Sequence, residues 1–310
     1  MLTSREVILC KEESTYNTDS APTASADAIL ISNPSWANEG LRMNERDVVK
    51  KTLGKKKSIY GGSLKTVTFD VEIKGSGTAG TAPDLGVLLE ICGMTETVVA
   101  STSVTYAPES DPASMKSGTL WYYQDGLIHK LTGCRGNFSA NLETGNVGMF
   151  SFTITGHSVA PIDGAIVTPT VDATDPVSIK GTSFTIDSYA ATINSLAFDM
   201  SNTVAMPADM NATDGYGEIF VAQRDINGTF DPEMELVATE DFDGNFRSGA
   251  AMALTTGAIG ATAGNILTVT MPAVSYRDIS PGDRDGIRTY ELAYGAAESS
   301  GDDGVSIAFT

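Results

Sequence analysis

The chain is poor in the residues that build metal and disulfide centres. It has three cysteines, Cys10, Cys92 and Cys134, and two histidines, His129 and His157. The cysteine number is odd and no C-x-x-C occurs, which argues against a disulfide framework and against a structural zinc site. The N-terminal MLTSREVILCKEES has no apolar run of signal-peptide length. The one long uncharged stretch, between Arg247 and Arg277, is broken by Thr, Gly, Asn265 and Pro272 and does not read as a transmembrane span. These absences predict a chain made in the cytoplasm without a membrane anchor. Basic residues are scarce too, and unevenly so. Residues 1–155 carry 14 Lys/Arg against 17 Asp/Glu, residues 156–310 only 6 against 22, and the formal charge is −19. Such a chain is expected to be soluble and to repel nucleic acid outside any local basic patch.

What is present points to strands. Glycine is plentiful, at 31 residues, and Thr, Ser and Ala recur throughout, while long helical periodicities are rare. Val67, Phe69, Val71 and Ile73 alternate with Thr66, Thr68, Asp70 and Glu72, the pattern of a half-buried strand. GNFSANL, with Phe138, Ala140 and Leu142, and MFSFTIT, with Phe150, Phe152 and Ile154, repeat it. One short helix is predicted where Leu85, Leu88, Leu89 and Cys92 form an apolar stripe between Pro83 and Gly93.

Several chemical motifs fail on their context. Gly75-Ser-Gly77-Thr-Ala-Gly80 spells the G-x-G-x-x-G of a dinucleotide turn. The strand before it alternates with Asp70 and Glu72 as an antiparallel strand does, and the helix starts beyond the glycines, so the pyrophosphate would lack its helix terminus. DFDGN at residues 241–245 hints at a calcium loop, but the sixth and twelfth positions are Phe246 and Met252. An acidic helix start explains it better, with a second stripe from Phe242, Phe246 and Ala250. SPGDRDG at residues 280–286 reads as a turn. His129 and His157 adjoin strands and read as structural. No catalytic centre, metal site or cofactor is expected, and hence no enzyme.

Residues 1–28 are polar and read as an extended arm. Residues 39–63 form a long charged loop holding Lys50, Lys51, Lys55, Lys56 and Lys57. Loops this long are usually functional or disordered, and with only Tyr60 nearby the run lacks the aromatics of a nucleic-acid patch. A contact with the acidic surface of another copy fits it better. Residues 161–180 are expected to link two domains, 29–160 and 181–296, followed by a tail at 297–310. A shift of 161 residues carries Phe69 onto Phe230 and Leu85 onto Phe246, which suggests an internal duplication.

KEESTYNTDSAPTASADAILISNP, NERDVVKKTLG, GSGTAGTAPDLGVLLEICG and HKLTGCRGNFSANLETGNVGMFSFTITG, with GDRDGI and SGDDGVSIAFT near the end, together carry a resemblance. The chain resembles the tail tube (major tail) proteins of long-tailed bacteriophages, closely over its first half and loosely over its second. The resemblance implies a mainly β fold, two tandem antiparallel β-sandwich or barrel domains each flanked by a short α-helix. It implies a structural virion protein, assembled in the host cytoplasm, whose rings stack into the hollow tube that conducts DNA into the host. Two tube-like domains per chain imply a trimeric, pseudo-sixfold ring, with tail tip, tape-measure and terminator proteins as neighbours. The five lysines are the expected ring-to-ring contact. A β-sandwich adhesin or carbohydrate-binding surface module is the alternative, and exposed aromatic platforms with a signal peptide would favour it. A hydrolase would need a clustered acid pair in a cleft.

Overall fold

The computed structural model describes Leu2 and residues 4–310. In the first half, alternating apolar residues build β1 (Glu6–Glu12), β2 (Ala28–Ile29), β3 (Ser32–Glu39), β4 (Met43–Asn44), β5 (Ile59–Tyr60) and β6 (Leu64–Glu72). After helix α1 (Gly86–Ile91) come β7 (Met94–Val99), β8 (Ser103–Pro108), β9 (Gly118–Gln124), β10 (Gly126–Glu143) and β11 (Met149–Ser158). β12 (Ile162–Gly164) and β13 (Thr185–Ile186) are short strands in the less regular middle. The second half holds β14 (Ser195–Asp199), β15 (Thr203–Ala205), β16 (Phe220–Gln223), β17 (Asn227–Phe230), helix α2 (Phe242–Ser248), β18 (Met252–Thr255), β19 (Leu267–Arg284), β20 (Ile287–Ala297) and β21 (Ser306–Phe309). The fold is mainly β and antiparallel throughout its strand pairs.

The strand pairs order eight of these in one layer: β3–β6–β11–β10, then β14–β17–β20–β19. β10 and β14 join the two sets of four. The sets correspond, since the apolar row Phe69–Phe152–Phe138 of the first stands where Phe230–Leu292–Ile279 stands in the second. The strand predicted at Val67–Ile73 is β6, with all four apolar residues buried.

Both helices cover the inner side of this layer. Leu85, Leu88, Leu89 and Cys92 are all buried along α1, and Gly93 ends it at φ 79°. On α2 the Asp241 carboxylate accepts a 2.8 Å hydrogen bond from Gly244 N, capping a terminus whose N–H groups would otherwise lack partners. Gly249 closes it in the left-handed region at φ 64°. Phe242 is buried and Phe246 packs partly against the core. One apolar cluster runs through both halves, from Ile8 and Phe69 to Tyr294 and Phe309.

Three segments differ from the sequence expectation. Within residues 1–28, Glu6–Glu12 is a paired strand, with Ile8, Leu9 and Cys10 buried and all seven residues in register with β9. Four consecutive apolar residues suffice there because both faces are covered. Within 297–310, β21 inserts between β19 and β8, and Ile307 and Phe309 are buried. The turn near Ser280–Gly286 is confined to Asp285 and Gly286, both at positive φ, as a two-residue Asp-Gly hairpin requires; β19 continues to Arg284.

The glycine loop is a seam between the halves. Gly75 N donates to Asn265 Oδ1 at 2.8 Å and Gly77 N to Gly264 O at 3.1 Å. A Cβ on Gly75 would run into the Gly264 carbonyl, and one on Gly264 into Thr78 N. Glycine is needed on both sides because two backbones meet without room for side chains. Lys74 extends the seam, donating to the carbonyls of Asp172 at 2.6 Å and Thr174 at 3.2 Å.

Candidate functional site

Strand alternation gives the eight-stranded layer two unlike faces. The apolar set faces the helices. The other face carries Thr68 and Asp70 of β6, Ser151 and Thr153 of β11, Ser139 and Asn141 of β10, Asp199 of β14 and Thr229 of β17, none of them buried. Short side chains bond across the strands there. Asp70 accepts from Ser151 Oγ at 2.6 Å and from Asn33 Nδ2 at 2.9 Å, Ser35 and Thr68 hydroxyls meet at 2.8 Å, and Asn137 Nδ2 donates to Asp199 Oδ1 at 2.8 Å. These bonds tie the acidic groups to the sheet and leave a polar, net acidic surface of small residues.

Two edges of this layer carry unpaired backbone. Among the described residues, β3 pairs with β6 alone. β19 pairs on one side with β21 and then β20, while on the other β18 covers it only as far as Val274. Among the described residues, no strand pairs with the second side of residues 275–284. Open edges of this length invite another strand.

The five lysines all lie in the loop between β4 and β5, exposed except for the half-buried Lys50. Lys55 Nζ approaches Glu45 Oε2 at 2.9 Å, and both side chains are mostly in solvent, so this pair adds little stability. The loop also exposes Val49 and Leu53 fully. Its base is fixed. Arg42 donates to Gly215 O at 3.0 Å and lies 4.0 Å over the Tyr216 ring, whose hydroxyl donates to Gly40 O. Sequence reasoning marked the lysines; the apolar residues beside them were equally visible, as VV and L in NERDVVKKTLG.

The two histidines are structural in position. His129 is buried, with Lys65 Nζ 3.0 Å from Nδ1 and Gln124 Oε1 3.1 Å from Nε2. Burial, then the Lys65 charge, lowers its pKa, so the neutral ring accepts from the lysine. His157 bridges Asp214 Oδ2 at 2.7 Å and the Tyr16 hydroxyl at 3.1 Å. Burial pushes the thiols of Cys10, Cys92 and Cys134 well above their ordinary range. Among the described residues no group of three His, Cys, Asp or Glu could hold a metal ion, and no helix is long and apolar enough to cross a membrane.

Glu90 on α1 is half-buried beside two other carboxylates, Glu12 and Glu96. Burial first, then the charges of Glu12 and Glu96, push its carboxyl from 4.5 up to about 7, against the opposing pull of Lys116. The folded chain therefore holds this proton more tightly than the unfolded chain. Stability is expected to fall as pH rises through that window. Glu90→Gln, which mimics the protonated form, should raise the thermal midpoint at pH 8 and leave it unchanged at pH 4; equal shifts at both would exclude this ionisation as the cause.

The polar face, its free edges and the basic loop are the surface features that stand out among the described residues. No curated protein matches the chain. The family model described as "Phage tail tube protein" matches residues 3–310, including the second half that the sequence resemblance covers loosely. The chain belongs to the phage tail tube proteins, a structural family of the virion tail.

Proposed function

We propose that this chain forms trimeric rings that stack into the DNA-conducting tube, each chain supplying two of six equivalent wall segments. The observation that carries this reading is the repeated four-strand layer: β3–β6–β11–β10 is followed by its counterpart β14–β17–β20–β19, joined edge to edge at β10–β14. On this reading, residues 29–160 and 181–296 are tandem tube domains, and three chains supply the six segments that other tubes draw from six. The polar acidic face lines the lumen, where like charge lets DNA slide without adhering. The lysine loop reaches the acidic surface of the next ring, ordering on contact. Tail tip, tape-measure and terminator proteins meet the ends of the stack, and assembly takes place in the host cytoplasm.

Electron microscopy of the purified protein tests this directly. Wild-type protein is expected to give tubes whose averaged cross-sections hold three chains. Lys55→Glu, Lys56→Glu and Lys57→Glu combined should leave the subunit folded and the rings unstacked. Six chains per ring would overturn the trimer, and normal tubes from the triple variant would remove the loop from the ring-to-ring contact. Monodisperse monomers of the wild type would instead support the adhesin or carbohydrate-binding alternative.

A further inference from the structure

The joint inside the chain serves as a template for the joint between chains. At β10–β14 the register is Ser139 to Asp199, Ala140 to Phe198 and Asn141 to Ala197. Superposing the two four-strand sets through the rows Phe69–Phe152–Phe138 and Phe230–Leu292–Ile279 turns Ser139, Ala140 and Asn141 into Ser280, Pro281 and Gly282. The other side follows from Ser35 facing Thr68 as Ala197 faces Thr229, so Phe198 corresponds to Trp36 and Asp199 to Ala37. On its apolar side the template is covered: Ala140 is 3% exposed and Phe198 2%, and Phe198 stacks edge-on with Phe138 at 6.3 Å. Their counterparts lie open. Trp36 is 41% exposed, Pro281 is exposed and Ile279 half-buried. Each open stretch carries a proline, Pro34 and Pro281, so each lacks one backbone donor and the ladder between copies is carried by the remaining positions.

We infer that β3 of one copy zips antiparallel onto residues 278–284 of β19 in the next copy, with Ala37 opposite Ser280 and Trp36 packed over Ile279 and Pro281. The occupant is a second copy of this chain, because the missing strand on each edge is the one that the other edge supplies. The contact is heterologous, one edge type meeting the other, and therefore propagates in one direction; a rotation of one third of a turn per copy closes it into the proposed trimeric ring. Trp36 is held ready for it. Lys65 Nζ sits 4.3 Å over the indole, and His129 packs beside it at 5.1 Å between ring centres. A preset aromatic anchor entering an apolar step is the usual form of an interface hot spot. This inference rests on the tube reading and adds its register.

The test is a disulfide between copies. Ala37→Cys with Ser280→Cys places the two thiols on directly opposed positions, within the Cα separation that a disulfide accepts. The three native cysteines are buried and do not compete. Mild oxidation of assembled protein should yield covalent dimers and trimers on non-reducing gels, ending at the trimer. Ala37→Cys with Asp278→Cys, two residues out of register, should remain monomeric on the same gel. Trp36→Ala should raise the concentration needed for assembly at least about tenfold while leaving the circular dichroism of the subunit unchanged. Tubes that form without the in-register crosslink, or crosslink equally in the control, overturn this register and leave the tube reading intact. Wild-type protein that forms neither rings nor tubes overturns both.

Discussion

Phe138→Ala is expected to lower the unfolding free energy by about 3–5 kcal/mol, with no change in the denaturant slope. Phe138 is fully buried on β10, the strand where the two halves meet. Its ring lies 5.4 Å from Phe150, 5.8 Å from Phe152 and 6.3 Å from Phe198, so it touches aromatic rings from both sets of strands. Truncation removes the transfer free energy of the ring and leaves a cavity. The surrounding side chains stand on hydrogen-bonded strands that cannot close in, so the cavity persists. Phe138→Leu keeps most of the volume and should cost roughly 1.5 kcal/mol or less. Urea unfolding followed by fluorescence measures both. A loss under 1 kcal/mol for the alanine variant would show that the rings repack around the gap. The same experiment bears on the tandem division, since a shared core predicts a single transition, and two transitions would mean that the halves hold separate cores.

This core was legible in the sequence because alternation is a strong signal where one face is wet. Phe138, Phe150, Phe152 and the Val67–Ile73 strand all stand where period-two reading puts them. The two helices were legible from apolar stripes, one of four residues between Pro83 and Gly93 and one of three after an acidic start, although Ala250 of the second stripe lies beyond the end of α2. What escaped notice lacked that contrast. In β1 the strand is four apolar residues inside a polar segment, and its neighbour Glu13 is a buried carboxylate that accepts from Ser117, Thr119, Asn17 N and Gly133 N. Nothing local announces such a residue, because all but one of its partners lie more than 100 positions away. The strand at Ser306–Phe309 is as short, and it is fixed by β8 and β19, which a local reading cannot see. The glycine loop shows the same limit. Its φ values of 71° at Gly77 and Gly80 suit a turn read from sequence, but the need for Gly75 comes from Gly264, far along the chain.

The candidate site divides in the same way. The lysines were visible as a charge run, and the polar face of the layer follows from alternation once the strands are known. The two open edges were invisible, because an edge is defined by which strand fails to pair, and pairing is a property of the whole sheet. Trp36 illustrates this. In isolation it is one tryptophan in a polar stretch, SNPSWANE; only its equivalence to Phe198 gives it a role.

Arg135→Ala should cost about 3–5 kcal/mol and also release the lysine loop, although its hydrogen bonds go to none of the five loop lysines. Arg135 is 4% exposed at the bulge of β10. Its guanidinium donates to Lys116 O at 3.1 Å, Met115 O at 3.2 Å, Ile219 O at 2.5 Å and Glu218 Oε1 at 2.9 Å. Removing it orphans three carbonyls on two separate segments, whereas Glu218→Gln should cost no more than about 1 kcal/mol because that carboxylate is half in solvent. Arg135→Lys should restore only part, since a single ammonium lacks the planar fork that spans both segments. Ile219 ends the stretch that carries Gly215 and Tyr216, and these two hold Arg42 and Gly40 at the base of the loop. Loss of Arg135 therefore loosens both ends of one mechanical path. Amide hydrogen exchange should quicken in residues 206–219 and 40–62 together, with the β6–β11–β10 ladder away from the bulge unchanged. Faster exchange confined to 206–219 would mean that the loop base stands without this support, and the position of the lysines would then depend on the ribbon of β4 and β5 alone.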